Sequence, residues 1–338
     1  MSGFRVERST RESRRFAAAG AAGLLALAAL PYWGGPGDMR LVSEIAYYLA
    51  LAQLWNLLAG YAGLVSVGQQ AFVGLGGYAL YFLAGQLGLH PLAALFAAGP
   101  LAALISIPVA LAVFRLRGAY FAVGTWVIAE IFQLSVSLST PLGGGSGLSL
   151  TPAIVRQIAP DRAGREMIVY WISLALLVVV CAIVYAVLRS RHGLALTAIR
   201  DSEPASASLG VDTFRTKLLI YVVAALCTGW IGAFIFLQKL RLSPEAGFSV
   251  NDWTVLVIFM VVIGGIGTLE GPIIGVIVFF ALRELLADYG AVYLILLGAI
   301  AVAVMLKAPG GLWGWVAGRY GWQLFPVNRR LDVEPERR

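Results

Sequence analysis

Charge is scarce in this sequence: Asp, Glu, Lys and Arg together supply 13% of 338 residues, against about 25% in an ordinary soluble domain. With 59% hydrophobic residues and a mean hydropathy of +0.83, a water-soluble globule is excluded. Cysteine and histidine number two each. Cys181 and Cys227 lie inside apolar runs, where a thiol behaves as a small hydrophobe, and His90 and His192 sit in separate loops without ligand spacing. Neither a disulfide framework nor a metal site follows. The chain also lacks a G-x-x-x-x-G-K-[ST] loop, an H-E-x-x-H pair and a nucleophile elbow. No catalytic residue and no cofactor is therefore expected, and the energy for any work must come from an ion gradient or another subunit.

What the sequence has instead is a series of apolar runs of membrane-spanning length, near 16–33, 41–59, 64–84, 92–114, 119–139, 168–188, 217–238, 252–268, 271–287 and 291–307. The fold expected is an all-α polytopic membrane protein of about ten transmembrane helices. A cleaved signal peptide in place of the first run is out of keeping with nine more spans. The charges cluster: seven fall in residues 1–15, eight in 189–217 and eight in 319–338. This divides the chain into a basic N-terminus (1–15), a transmembrane region (16–318) carrying one polar internal loop (189–217), and a polar tail (319–338). The net charge of +7 flanks spans, so it reports orientation rather than nucleic-acid binding. Placing Arg5, Arg8, Arg11, Arg14 and Arg15 in the cytoplasm puts Arg115, Arg117, the 189–217 loop and the tail there too, so both termini are expected inside. The 140–167 connection then lies outside, where Gly143–Gly147 reads as a mobile loop.

Three segments carry chemistry. In the third run Gly63, Ser66, Gln70, Gly74 and Gly77 fall on one stripe if the whole run is helical. The stripe serves close helix packing, with Gln70 bonded to a neighbour, or lines a substrate path through Ser66, Gln69 and Gln70. Glu130, near the middle of the fifth run, is too costly to face lipid and is expected inside the bundle, as a helix-locking carboxyl or as part of the path. The 189–217 loop reads as two short helices: one over Leu194–Arg200, and one capped by Asp201 or Ser202 with Glu203 and Pro204 in its first turn and Gly210 at its end. That makes a compact cytoplasmic knob offering Ala205, Ala207 and Leu209 for contact.

The order Ile199-Arg200-Asp201-Ser202-Glu203-Pro204-Ala205, then Ser208 to Asp212 and Phe214 to Lys217, resembles the cytoplasmic coupling loop of branched-chain amino acid ABC importer permeases of the LivM type. Ser66 to Phe72 with Gly76 to Tyr78, Arg115 to Tyr120 with Thr125 and Glu130, Gly144 to Leu148, and Gly264 to Pro272 are similar to further segments of that family in the same order. The match spans residues 41 to 307. It departs at Pro204, where the permease signature would have alanine. The resemblance implies a permease that pairs with a related second permease, two cytoplasmic ATPase subunits and an extracytoplasmic solute-binding protein in a prokaryotic inner membrane. It assigns ATPase coupling to Ile199, Arg200, Asp201, Glu203, Ala205, Leu209 and Gly210. Gly264, Gly265, Gly267, Gly271 and Pro272 would supply broken backbone along the path. Urea, short amides and other small carboxylates stand as alternative cargoes. A proton-coupled transporter using Glu130 and an Arg283–Glu284 pair is the other class weighed.

Overall fold

The computed structural model describes residues 4–7, 11–286, 292–308, 310–320, 324–325 and 330–333. In chain order these form strand β1 (Phe4–Glu7), helices α1 (Arg11–Ala28), α2 (Pro36–Asn56), α3 (Gln69–Gly85), α4 (Pro91–Val113) and α5 (Ala119–Leu138), strand β2 (Leu148–Ser149), and helices α6 (Pro152–Arg156), α7 (Arg162–Arg189), α8 (Arg191–Asp201), α9 (Glu203–Ser208) and α10 (Thr213–Lys239). Strand β3 (Arg241–Leu242) follows, then α11 (Pro244–Gly247), α12 (Leu256–Gly264), α13 (Glu270–Leu285), α14 (Val292–Lys307), α15 (Gly311–Tyr320) and strand β4 (Arg330–Val333). The boundary expected between the last two apolar runs, at 287–291, and most of 319–338 lie outside the described residues.

The chain is an all-α polytopic membrane protein: among the described residues, seven helical segments are long and apolar enough to cross a bilayer. They are Pro36–Tyr61, Pro91–Val113, Ala119–Leu138, Arg162–Arg189, Thr213–Lys239, Pro244–Gly264 and Gly298–Arg319. Three of the expected runs are covered by helices outside those seven, α1, α3 and α13. The α2 segment and α10 are the most enclosed and α5 among the least, with Phe121, Thr125, Ala129 and Val136 its buried residues.

α10 forms the centre, against α3 and α4. Backbones touch there: a Cβ on Gly76 would collide with the Gly229 carbonyl, and one on Gly232 with the Val73 carbonyl. Without a hydrophobic driving force between helices in lipid, such close approach supplies the packing. His90 caps α4, its Nδ1 accepting from the Leu92 amide at 3.3 Å, so its Nε2 donates to the Gln157 carbonyl at 3.0 Å.

Two expectations are corrected. The third run is not one helix: α3 starts at Gln69, and Gly63 has φ +68°, so Gly63 and Ser66 lie on irregular chain before it. Only Gln70, Gly74 and Gly77 share the helical stripe. The 143–147 loop is a packed turn rather than a mobile one. Gly143, Gly144 and Gly147 take φ of +81°, +53° and +77°, and β2 pairs antiparallel with β3 through Leu148 opposite Leu242.

Candidate functional site

The polar loop folds as its capping residues dictate. Ser190 accepts from the His192 amide (3.1 Å) to start α8, and Ser202 accepts from the Ala205 amide (3.4 Å) to start α9, with Pro204 in the first turn. α9 ends at Ser208, and Gly210 takes φ +86°, the left-handed conformation glycine tolerates after a helix. Gly193, Leu196 and Ile199 are buried beneath the knob, whereas Leu194 and Leu209 project outward, Leu209 with 84% of its surface exposed. Ala205 and Ala207 are exposed as well. Glu203 is ion-paired with Lys217 of α10 at 2.7 Å, tying α9 to the bundle, and Asp201 pairs with Arg200 at 3.3 Å.

Arg200 turns the other way. Its Nη1 donates to the Gly60 carbonyl at 2.9 Å. Gly60 lies in a π-helical turn, Leu57–Tyr61, that ends the α2 segment. One turn earlier, fully buried Asn56 receives the Gly267 amide on its Oδ1 (2.7 Å) and donates Nδ2 to the Thr268 carbonyl (2.8 Å). Gln53 donates to the Leu269 carbonyl at 2.8 Å. A continuous polar chain therefore joins the knob, the end of α2 and the glycine-rich turn between α12 and α13. In that turn Gly265 and Gly267 have φ of +132° and +79°, while Gly264, Gly271 and Pro272 are buried where α12 crosses α13. Buried Glu270, at the positive end of α13, accepts from the Leu324 and Phe325 amides at 3.0 Å each. Sequence reading missed Asn56, Gln53 and Gly60. The available signal was a run of polar side chains one turn apart in an otherwise apolar span.

The other candidates are dispersed. Gln69 donates to the Leu51 carbonyl (3.0 Å), and Gln70 is clasped by the Thr254 hydroxyl. Ser66 accepts from the Gly68 amide on its hydroxyl (3.1 Å) and from the Trp55 indole on its carbonyl (2.8 Å). Gly74 and Gly77 make room for the Phe248 and Phe236 rings. Glu130 falls at the rim rather than in the interior, because α5 meets the bundle along one edge; it is half-buried and accepts from the Trp126 indole one turn back at 2.9 Å. Arg283 pairs with Glu44 of α2, at 2.8 and 3.1 Å, and not with Glu284.

At the opposite end of α7 and α10 from the knob lies a cavity of about 740 Å³. It is walled by the first turns of α2 and α7, the last residues of α10, the start of the segment leading to α12, and α13. Three ion pairs brace it: Glu44–Arg283, and Glu166 held by both Arg40 (2.8 Å) and Arg162 (3.1 Å).

Comparison with known proteins completes the picture. The profile of the family described as branched-chain amino acid transport system / permease component matches residues 39–307. The high-affinity branched-chain amino acid transport system permease protein LivM of Escherichia coli is 28% identical over 91% of this chain and 76% of its own length. Its counterpart in Salmonella typhimurium is 27% identical over 86% and 73%. A probable LivM of Methanocaldococcus jannaschii is 24% identical over about half of each chain, at 52% and 50%. No solved structure matches. A bundle of apolar helices with a capped polar knob, matched by that profile over most of its length, places this chain in the branched-chain amino acid transport permease family.

Proposed function

We propose that this chain is the membrane-embedded permease subunit of an ATP-driven importer of branched-chain or related amino acids. Its partners would be a related second permease, two cytoplasmic ATPase subunits and an extracytoplasmic solute-binding protein, in a prokaryotic inner membrane. The names of its relatives support the cargo class. The observation that carries the mechanism is the knob: α8 and α9, capped at both starts, sit between two long spans with Leu194, Ala205 and Leu209 turned outward and Ile199 anchored in the bundle. Closure of the ATPases would carry the knob as a rigid body. Arg200 would pass that displacement to the Gly60 carbonyl and so to the turn between α12 and α13, a discrete rearrangement of packed elements. Ten spans with both termini cytoplasmic complete the reading.

The test is ATP-dependent uptake of leucine, isoleucine and valine in vesicles holding all partner subunits. Gly210→Val forces a β-branched residue into a left-handed conformation. Glu203→Lys puts two ammonium groups where Glu203 and Lys217 now pair, and a positive charge at a positive helix end. Both variants should reach the membrane at normal levels, yet lose ATPase binding or substrate-stimulated hydrolysis. Full uptake by both would reduce the loop to a passive connector.

A further inference from the structure

The cavity opposite the knob holds a pair of opposite charges that no ion pair consumes. Lys239 ends α10, and its Nζ lies 4.8 Å from the Trp253 ring centroid; among the described residues it has no carboxylate partner within salt-bridge distance. Asp252, one residue before that tryptophan, has no cationic partner within salt-bridge distance among the described residues either, and lies within electrostatic reach of Lys239. The remaining carboxylates of the cavity, Glu44 and Glu166, are already engaged by arginines. Both unpaired groups are exposed at the cavity, where Tyr47, Leu256 and Phe279 supply apolar surface to a wall that also carries polar and charged side chains. The backbone at this point is held in an uncommon state. Leu240, immediately after Lys239, is the one non-glycine residue with positive φ among those described, at +59°. Such strain in a large aliphatic residue persists only where surrounding structure over-determines it, and it clusters at ligand sites.

We propose that this cavity receives the transported amino acid as a zwitterion. The ammonium of Lys239 meets its carboxylate, the carboxylate of Asp252 meets its ammonium, and Tyr47, Leu256 and Phe279 face an aliphatic side chain. A volume of about 740 Å³ falls within the usual span of ligand sites. With Glu44 and Glu166 taken up by those ion pairs, Lys239 and Asp252 are the neighbouring opposite charges for which a zwitterion supplies both partners at once. A neutral solute such as urea satisfies neither. Arg165, on α7, also lines the cavity without an ion pair among the described residues, and it serves as the control for the assignment of the carboxylate.

This inference rests on the permease reading above and is tested separately from it. The complex of this chain with its partner permease and ATPases, in lipid nanodiscs without the binding protein, is titrated with radiolabelled leucine. Leucinamide, which lacks the carboxylate, and 4-methylpentanoate, which lacks the ammonium, are used as competitors. Each analogue should compete about tenfold or more weakly than leucine, the cost of one missing charge-assisted bond. Lys239→Met should abolish the preference for leucine over leucinamide, and Asp252→Asn the preference for leucine over 4-methylpentanoate. Arg165→Gln should leave both preferences intact. Unchanged preferences in the first two variants, or their loss in Arg165→Gln alone, would overturn the assignment. So would the absence of specific leucine binding by a complex that, given its binding protein, still imports leucine. Failure to import any branched-chain amino acid while another solute is carried would overturn the permease reading, and this proposal with it.

Discussion

Arg200 illustrates how a side chain singled out by its place in a loop can turn away from the surface that loop presents. The resemblance to the permease loop put Ile199 to Glu203 at an ATPase surface, yet Ile199 is buried and Arg200 bonds the Gly60 carbonyl. The cause is the helical period: Leu196 and Ile199 set the buried face of α8, and Arg200, next to it, reaches inward along that face with its long stem. Nothing local to residues 189–217 encodes Gly60, which is 140 positions away. Arg200→Ala removes a charge-assisted hydrogen bond worth about 1.5–3 kcal/mol in net stability. Leu196 and Ile199 stay packed, so the variant should assemble normally while uptake per ATP hydrolysed falls several-fold. Arg200→Lys, with a shorter and more hydrated point charge, should fall between wild type and alanine. Reconstituted vesicles in which both uptake and hydrolysis are followed would show it, and unchanged coupling in Arg200→Ala would remove this residue from the transmission route.

Among the elements, the long regular spans were legible because apolar runs bounded by polar or glycine-rich segments need no tertiary information to be seen. The departures from regular helix were not. The spacing of Gly63, Ser66, Gln70, Gly74 and Gly77 fits a helix throughout, but Gly63 at φ +68° breaks the backbone first, and glycine spacing alone does not distinguish a packing stripe from a breaker. The π-helical turns at Leu57–Tyr61 and Asn251–Val255 leave no compositional trace at all. The α12–α13 hairpin lies between these cases. Its glycines advertise irregular backbone, which Gly265 and Gly267 provide, but Gly264 serves helix-to-helix contact with the Gly271 carbonyl, and Gly275, outside the motif, is equally tight. A Cβ on Gly275 would collide with the Met260 carbonyl, which is backbone and has no rotamer to yield. Gly275→Val should therefore separate the two helices and abolish assembled complex in detergent. Gly298→Val, where an added Cβ meets nothing within 4 Å among the described residues, should leave the yield unchanged. Equal yields from the two variants would mean that the crossing is not close-packed.

For the whole molecule the open question is orientation, and the fold sharpens it. Phe114 packs its ring edge-on against Phe214 and Tyr221 at the start of α10, so Arg115 and Arg117 lie at the knob end with Arg189, Arg191 and Lys217. Arg40, Arg162 and Arg165, near the starts of α2 and α7, line the cavity at the other end, so both faces bear cations and these do not orient the chain by themselves. The cytoplasmic placement we propose for both ends rests on the terminal arginines under the positive-inside rule, which counts Lys and Arg near the spans rather than net charge. β1 pairs antiparallel with β4, Phe4 opposite Val333 and Glu7 opposite Arg330, which brings the two ends of the chain to one side. An even number of crossings must then separate them. Seven long spans alone give an odd number; the ten spans we propose, with α1, α3 and α13 added, give an even one. Reporter fusions after Asp38 at the cavity end, Ser190 at the knob and Arg338, which lies outside the described residues, should read outside, inside and inside. An outside signal at Ser190 would place the knob where no ATPase can reach it and overturn the coupling mechanism. Opposite signals at Asp38 and Ser190, with Arg338 matching Asp38, would break the even count and with it the pairing of the chain ends across one face.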